Sequence, residues 1–133
     1  MCSSDLAAGL ATLSELSKPG FYERLTTMTA DLAAGLQTCA REAGVPMTTQ
    51  CIGGLFGIFF TSAPRVSRLA EVMACDVALF QQFFHGMLAP GVSLAPSAFE
   101  AGFVSAAHSE EDIATTLSAA KDALAACKKN RPG

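Results

Sequence analysis

An α+β domain, a small and mainly antiparallel sheet with helices on one face, is the fold class this sequence predicts. Three observations carry it. Apolar residues recur at helical spacing in four stretches, at 6–16, 21–39, 77–88 and 113–127. Between them lie short apolar runs of strand character, one pair split by Gly53-Gly54 and one by a Pro-Ser-Ala-Phe-Glu-Ala-Gly segment. The order is helix, helix, strand, strand, helix, strand, strand, helix, in which neighbouring strands pair antiparallel.

Each element has its own warrant. Leu6, Leu10, Leu13 and Leu16 share one face of the first helix. Ser4 or Asp5 is placed to cap it, and Lys18-Pro19-Gly20 stops it. The second helix carries Phe21, Leu25, Met28, Leu32, Leu36 and Cys39 on its apolar face. Gly44 fits the left-handed position after its last turn, and Pro46 forbids continuation. Met47 to Ile52 and Leu55 to Thr61 predict a hairpin, with Gly53 and Gly54 supplying positive φ at the turn. Leu55 to Thr61 is almost wholly apolar, which predicts burial on both faces. Ser62 to Cys75, with Pro64, Arg65 and Arg68, predicts a loop with one helical turn and solvated arginines.

Asp76 is placed to cap the third helix, whose broad apolar face is Val77, Phe80, Phe83, Phe84, Met87 and Leu88. Pro90-Gly91 ends it. Val92–Ala95 and Phe103–Ala107 predict a second strand pair, the first strand limited by Pro96, which has no N–H to donate. Ser109-Glu110-Glu111-Asp112 has the capping-box pattern. It opens a last helix to about Lys128, with Ile113, Leu117, Ala120, Leu124 and Cys127 as its stripe. Asn130 to Gly133 should fray.

Composition narrows the function. A chain of 133 residues is one domain by length. A net charge of −3 leaves no basic field for nucleic acid. The longest apolar run, Ile52 to Phe60, is about half of a bilayer span, so no membrane segment is expected. Cys2, Cys39, Cys51, Cys75 and Cys127 are odd in number, with no C-x-x-C, and read as reduced thiols of a cytoplasmic protein. His85 and His108 stand at no metal-ligand spacing from a cysteine. Charged residues make up only 16%, which leaves apolar faces for a partner. Gly53, Gly54 and Gly57 lack the order and the following Lys-Ser/Thr of a phosphate loop.

Glu100 is the only carboxylate between Asp76 and Glu110. In an apolar stretch such a group is either a solvated loop residue or one held for chemistry. The stretch around it, Leu94-Ala95-Pro96-Ser97-Ala98-Phe99-Glu100-Ala101-Gly102-Phe103, resembles the C-terminal end of glutamate-1-semialdehyde 2,1-aminomutases. So do Ala107-His108-Ser109-Glu110-Glu111-Asp112-Ile113, Gly53 to Phe60 and Met73-Ala74-Cys75-Asp76, in the same order. The resemblance spans about residues 6 to 127.

Those enzymes are class-III aminotransferase-like, fold-type I pyridoxal-phosphate (PLP) enzymes of tetrapyrrole biosynthesis. They convert glutamate 1-semialdehyde to 5-aminolevulinate by an intramolecular amine exchange, through a diamino intermediate that stays bound. The resemblance implies that residues 21–133 form their C-terminal small domain. It implies that residues 1–20 connect from a large domain not present here, with Met1 to Asp5 a foreign start. It implies a homodimer in the complete enzyme. It places Glu100 toward the active site, where it positions an amine of the substrate or intermediate. The family's Schiff-base lysine, ring-nitrogen carboxylate and main phosphate contacts fall upstream. Lys18, Lys121, Lys128 and Lys129 match none of them. This segment alone is therefore expected to be inactive. Two other readings stay open, a related class-III aminotransferase and a free-standing binding module that packs through its leucine face.

Overall fold

The structure is a computed structural model that describes residues 3–129. Met1 and Cys2 of the expected foreign start, and the tail expected to fray, lie outside those residues. The element order is α1 (Ser3–Leu16), α2 (Phe21–Ala43), β1 (Thr48–Ile52), β2 (Leu55–Phe59), α3 (Leu69–Met73), α4 (Val77–Leu88), β3 (Gly102–Phe103) and α5 (Glu110–Lys129).

Helix α1 begins at Ser3, so Ser4 and Asp5 sit inside its first turn rather than capping it. Asp5 there still opposes the positive end of the helix dipole. No residue of α1 is buried, and Leu10 is 70% exposed. Gly20, at φ 79°, makes the turn into α2. Helix α2 ends as its sequence requires. Gly44 takes the left-handed conformation at φ 68°. Its N–H donates to Arg41 O at 3.1 Å, and the Val45 N–H donates to Ala40 O at 2.9 Å. Together these form a Schellman motif closed over the buried Val45.

The three strands are antiparallel in the order β1-β2-β3. Only Gly53 of the turn pair has positive φ, the pattern of a II′ turn rather than two left-handed residues. Gly54 instead allows close approach, since a Cβ there would lie 2.9 Å from the Leu25 side chain. The Gln37 side chain of α2 reaches β1 with both ends of its amide. Its Nε2 donates to Met47 O at 2.6 Å, and its Oε1 accepts from Thr49 N at 2.9 Å.

Burial in β2 alternates instead of covering both faces. Phe56 and Ile58 are buried, while Leu55, Gly57 and Phe59 are half-buried. The inner residues join Leu32 and Leu36 of α2, Phe83 and Met87 of α4, and Leu124 of α5 in one core. The three long helices thus lie on one face of the sheet. Asp76 caps α4 by accepting from Leu79 N at 2.9 Å. Ser109 and Asp112 cap α5 reciprocally: Asp112 Oδ2 accepts from Ser109 N at 2.7 Å, and Ser109 Oγ accepts from Asp112 N at 3.2 Å.

The expected fourth strand does not form. Val92–Ala95 has no ladder partner, and β3 is confined to Gly102–Phe103 rather than running to Ala107. The Val92 N–H is taken by Met87 O at 3.0 Å in closing α4. Val92 and Leu94 then pack against the core as irregular chain. Apolar character here reflects burial, not pairing.

Candidate functional site

The outer face of the sheet carries a cleft of about 470 Å³. Register decides which side chains reach it. Thr48 pairs with Phe59, Gln50 with Gly57, and Ile52 with Leu55, and this alternate set points away from the core. Leu55, Gly57 and Phe59 line the cleft from β2. A Cβ on Gly57 would meet the Phe59 ring at 2.8 Å, so glycine lets that ring settle over the strand. Val72 of α3 and the loop residues Ala98, Phe99 and Ala101 add apolar wall. The exposed Ile52 (78%) extends the apolar surface at the hairpin end, and Phe103 (69%) lies on the same outer face.

Glu100 stands on this wall. Its N–H donates to Ser97 O at 3.2 Å, which holds the loop in a tight turn after Pro96. Gly102 then brings the chain back onto β2, directly over Phe56. A Cβ at Gly102 would lie 2.3 Å from the Phe56 ring, so only glycine permits the approach. The Glu100 side chain is exposed, with no hydrogen bond or ion pair among the described residues.

Arg65 lines the same cleft and is exposed, as the sequence predicts. Nothing near it in the sequence marks it out. Its position comes from β1, where Thr48 Oγ1 donates to Ala63 O at 2.6 Å and Gln50 Oε1 accepts from Val66 N at 2.6 Å. Arg68, by contrast, is engaged. Its Nη2 lies 2.8 Å from Glu71 Oε1. Glu71 also accepts from Ser67 N at 2.7 Å. The Ser67 backbone bond first, then Arg68, hold the Glu71 carboxyl down at about 2.

Lys18, Lys121, Lys128 and Lys129 are all exposed on helices or helix ends, and none lines the cleft. The described residues therefore give PLP no lysine to attach to, and the cleft does not fit that cofactor by itself. Cys39, Cys75 and Cys127 are free thiols whose pKa burial pushes up, so they stay protonated near neutrality. Cys51 is an exposed free thiol. His85 is exposed and edge-on to Phe84, with ring centroids 5.3 Å apart. No group of three metal-ligating side chains occurs among the described residues. No described helix is long and apolar enough to cross a membrane.

No family model matches the chain. Solved structures do. An omega-transaminase from Sphaerobacter thermophilus superposes over 80% of this chain and 24% of its own, at 25% identity and TM-score 0.65. A transaminase with PLP bound superposes over 91% of this chain and 26% of its own, at 23% identity and TM-score 0.72. The fold is that of the small domain of transaminase-like PLP enzymes. The chain spans about a quarter of the length of either structure.

Proposed function

We propose that this chain is the small-domain part of a PLP-dependent aminomutase that converts glutamate 1-semialdehyde to 5-aminolevulinate. One observation carries the reading. Glu100, the carboxylate within the Pro-Ser-Ala-Phe-Glu-Ala-Gly segment, stands on the wall of the outer-face cleft with no side-chain partner among the described residues. An unpaired carboxylate beside apolar wall suits an ammonium group brought by a ligand. The similarity to transaminases supports an aminotransferase-like enzyme, and the sequence around Glu100 supports the aminomutase within that class.

PLP, when bound, supplies an electron sink. Its lysine and phosphate contacts belong to a large domain that would close over the outer face. The part of this chain is on the substrate side. Phe99, Leu55 and Phe59 exclude water from one wall, and Glu100 holds the substrate or intermediate amine in position. A related class-III aminotransferase is the second reading, favoured by the names of both solved structures.

The reading frame upstream of Leu6 supplies the test. In the polypeptide that includes it, Glu100→Gln keeps shape and removes charge. Losing one charge-assisted contact costs roughly 1.5–3 kcal/mol, or about one to two decades in rate. We expect turnover of glutamate 1-semialdehyde to fall by that factor, more free diamino intermediate to escape, and cofactor retention to hold. Unchanged turnover with unchanged release would return Glu100 to a solvated loop.

A further inference from the structure

The short connection between β3 and α5 is anchored at both ends. On one side the buried Val104 donates its N–H to Gly54 O at 2.8 Å. On the other, Ser109 and Asp112 form the reciprocal cap of α5. Between these anchors residues 105–108 are exposed, and three bonds within the turn hold them. The His108 N–H donates to Ser105 O at 3.0 Å, and the Ala107 N–H donates to Ser105 Oγ at 3.1 Å. The third bond is of another kind, because the Ser105 N–H donates to His108 Nδ1 at 2.9 Å. A ring nitrogen accepts only while it carries no proton, so this bond requires the neutral ring with its hydrogen on Nε2. The small pocket beside His108 is lined from α2, β2, β3, the 92–94 segment and α5, and Asp112 is its only other titratable side chain. Glu110 and Glu111 follow along the chain and are exposed in the first turn of α5. Both bonds that the Asp112 carboxylate accepts fall on Oδ2, from the N–H and the hydroxyl of Ser109. Those bonds, with a smaller pull from His108, hold its carboxyl below the ordinary range, so it stays charged near neutrality.

We propose that His108 is a proton-operated catch on the connection between β3 and α5, with two positions. Neutral, it takes the Ser105 N–H and closes the turn. Charged, the ring has two donors and no acceptor, so it gives up Ser105 and turns to Asp112, whose Oδ1 is left for another donor. Imidazoles as a class exchange this proton between about pH 5 and 8. The turn is therefore closed at the upper end of that range and released as pH falls. The release is local, since Val104 and the α5 cap keep partners that do not titrate there. Ser105 follows β3, the strand that brings the Glu100 loop onto the sheet, so release frees the chain on the far side of that strand.

The test is NMR of the full 133-residue chain from pH 8 to pH 5, following the His108 ring nitrogens and the amide exchange of Ser105 and Ser109. Exchange is expressed as protection relative to the free peptide at the same pH. We expect Ser105 protection to fall by about two- to ten-fold, the range of one neutral hydrogen bond. The fall should share its midpoint with protonation of His108 Nδ1, while Ser109 protection holds. His108→Asn is the decisive variant, because asparagine sets Oδ1 where Nδ1 stands and accepts without titrating. Its Ser105 protection should stay level across the range. Asp112→Asn keeps an acceptor for the α5 cap and removes the charge, so the Ser105 midpoint should move to lower pH. Level Ser105 protection in the parent chain, or an equal fall in His108→Asn, would overturn the catch. A midpoint unmoved by Asp112→Asn would overturn its second position.

Discussion

Replacing Gly102 with Ala tests the link between the Glu100 loop and the core. The added Cβ would meet the Phe56 ring at 2.3, 2.6 and 2.8 Å. Ordinary carbon contacts are about 3.5–4.0 Å, so ring or strand must give by about 1 Å. Phe56 is buried and belongs to the core cluster, so its ring has nowhere free to go. Overpacking of this kind costs about 1–3 kcal/mol. The φ of Gly102 is not in the left-handed region, so alanine also gains about 0.4–1 kcal/mol by restricting the unfolded chain. The net expectation is a loss of about 1–2 kcal/mol, read as a lower urea midpoint with unchanged slope. Phe56→Leu in the same chain should recover part of it, giving a favourable coupling in the double-mutant cycle. Gly9→Ala is the opposing control. Nothing lies within 4 Å of its added Cβ, and the site is inside α1. Helix propensity alone then predicts a gain of about 0.5–1 kcal/mol for that helix. A Gly102→Ala chain as stable as the parent would refute the close approach that places Glu100.

Three other outcomes are expected. Glu71 has its folded pKa lowered to about 2 from 4.5, so its contribution is present above the unfolded value and lost as pH falls through the folded one. The amides of Ser67 and Arg68 should accordingly titrate near pH 2 by NMR, and a midpoint at the ordinary carboxylate value would contradict the Ser67 and Arg68 bonds. Mixed with PLP and desalted, the chain should retain no stoichiometric visible band, and a band mapping to one lysine would overturn this. The exposed Leu6, Leu10 and Leu13 of α1 should drive self-association and bind a hydrophobic dye. Changing all three to Ser should abolish both, whereas a monodisperse parent that binds no dye would refute it.

The parts of the fold that were legible in the sequence are those whose ends are written locally. Gly44 with Pro46 just beyond it marks the end of α2, and Asp76 and Ser109 open α4 and α5 through their own side chains. Gly53-Gly54 marks the hairpin. Val92–Ala95 misled because an apolar run records burial, and burial needs no ladder when a helix end claims the first N–H. In β2 the sequence concealed the outer face, since Leu55 and Phe59 are as apolar as Phe56 and Ile58. Glu100 was visible as an isolated carboxylate. Its place on the cleft depends on the Gly102–Phe56 approach, which no local pattern contains. Arg65 is exposed as the sequence predicts, while its place beside the cleft is made by Thr48 and Gln50 across the hairpin.

The bonds from Gln37 to β1 bear on how this molecule behaves among its own copies. A three-stranded sheet with β1 outermost would offer a row of bare amides and carbonyls for another chain to extend. One glutamine from α2 occupies the acceptor of Met47 and the donor of Thr49, and Thr49 Oγ1 donates to Ala33 O at 2.9 Å. The helix thus covers the first part of that edge, at Met47 and Thr49. Pairing of another strand with that end of β1 would have to displace the Gln37 amide.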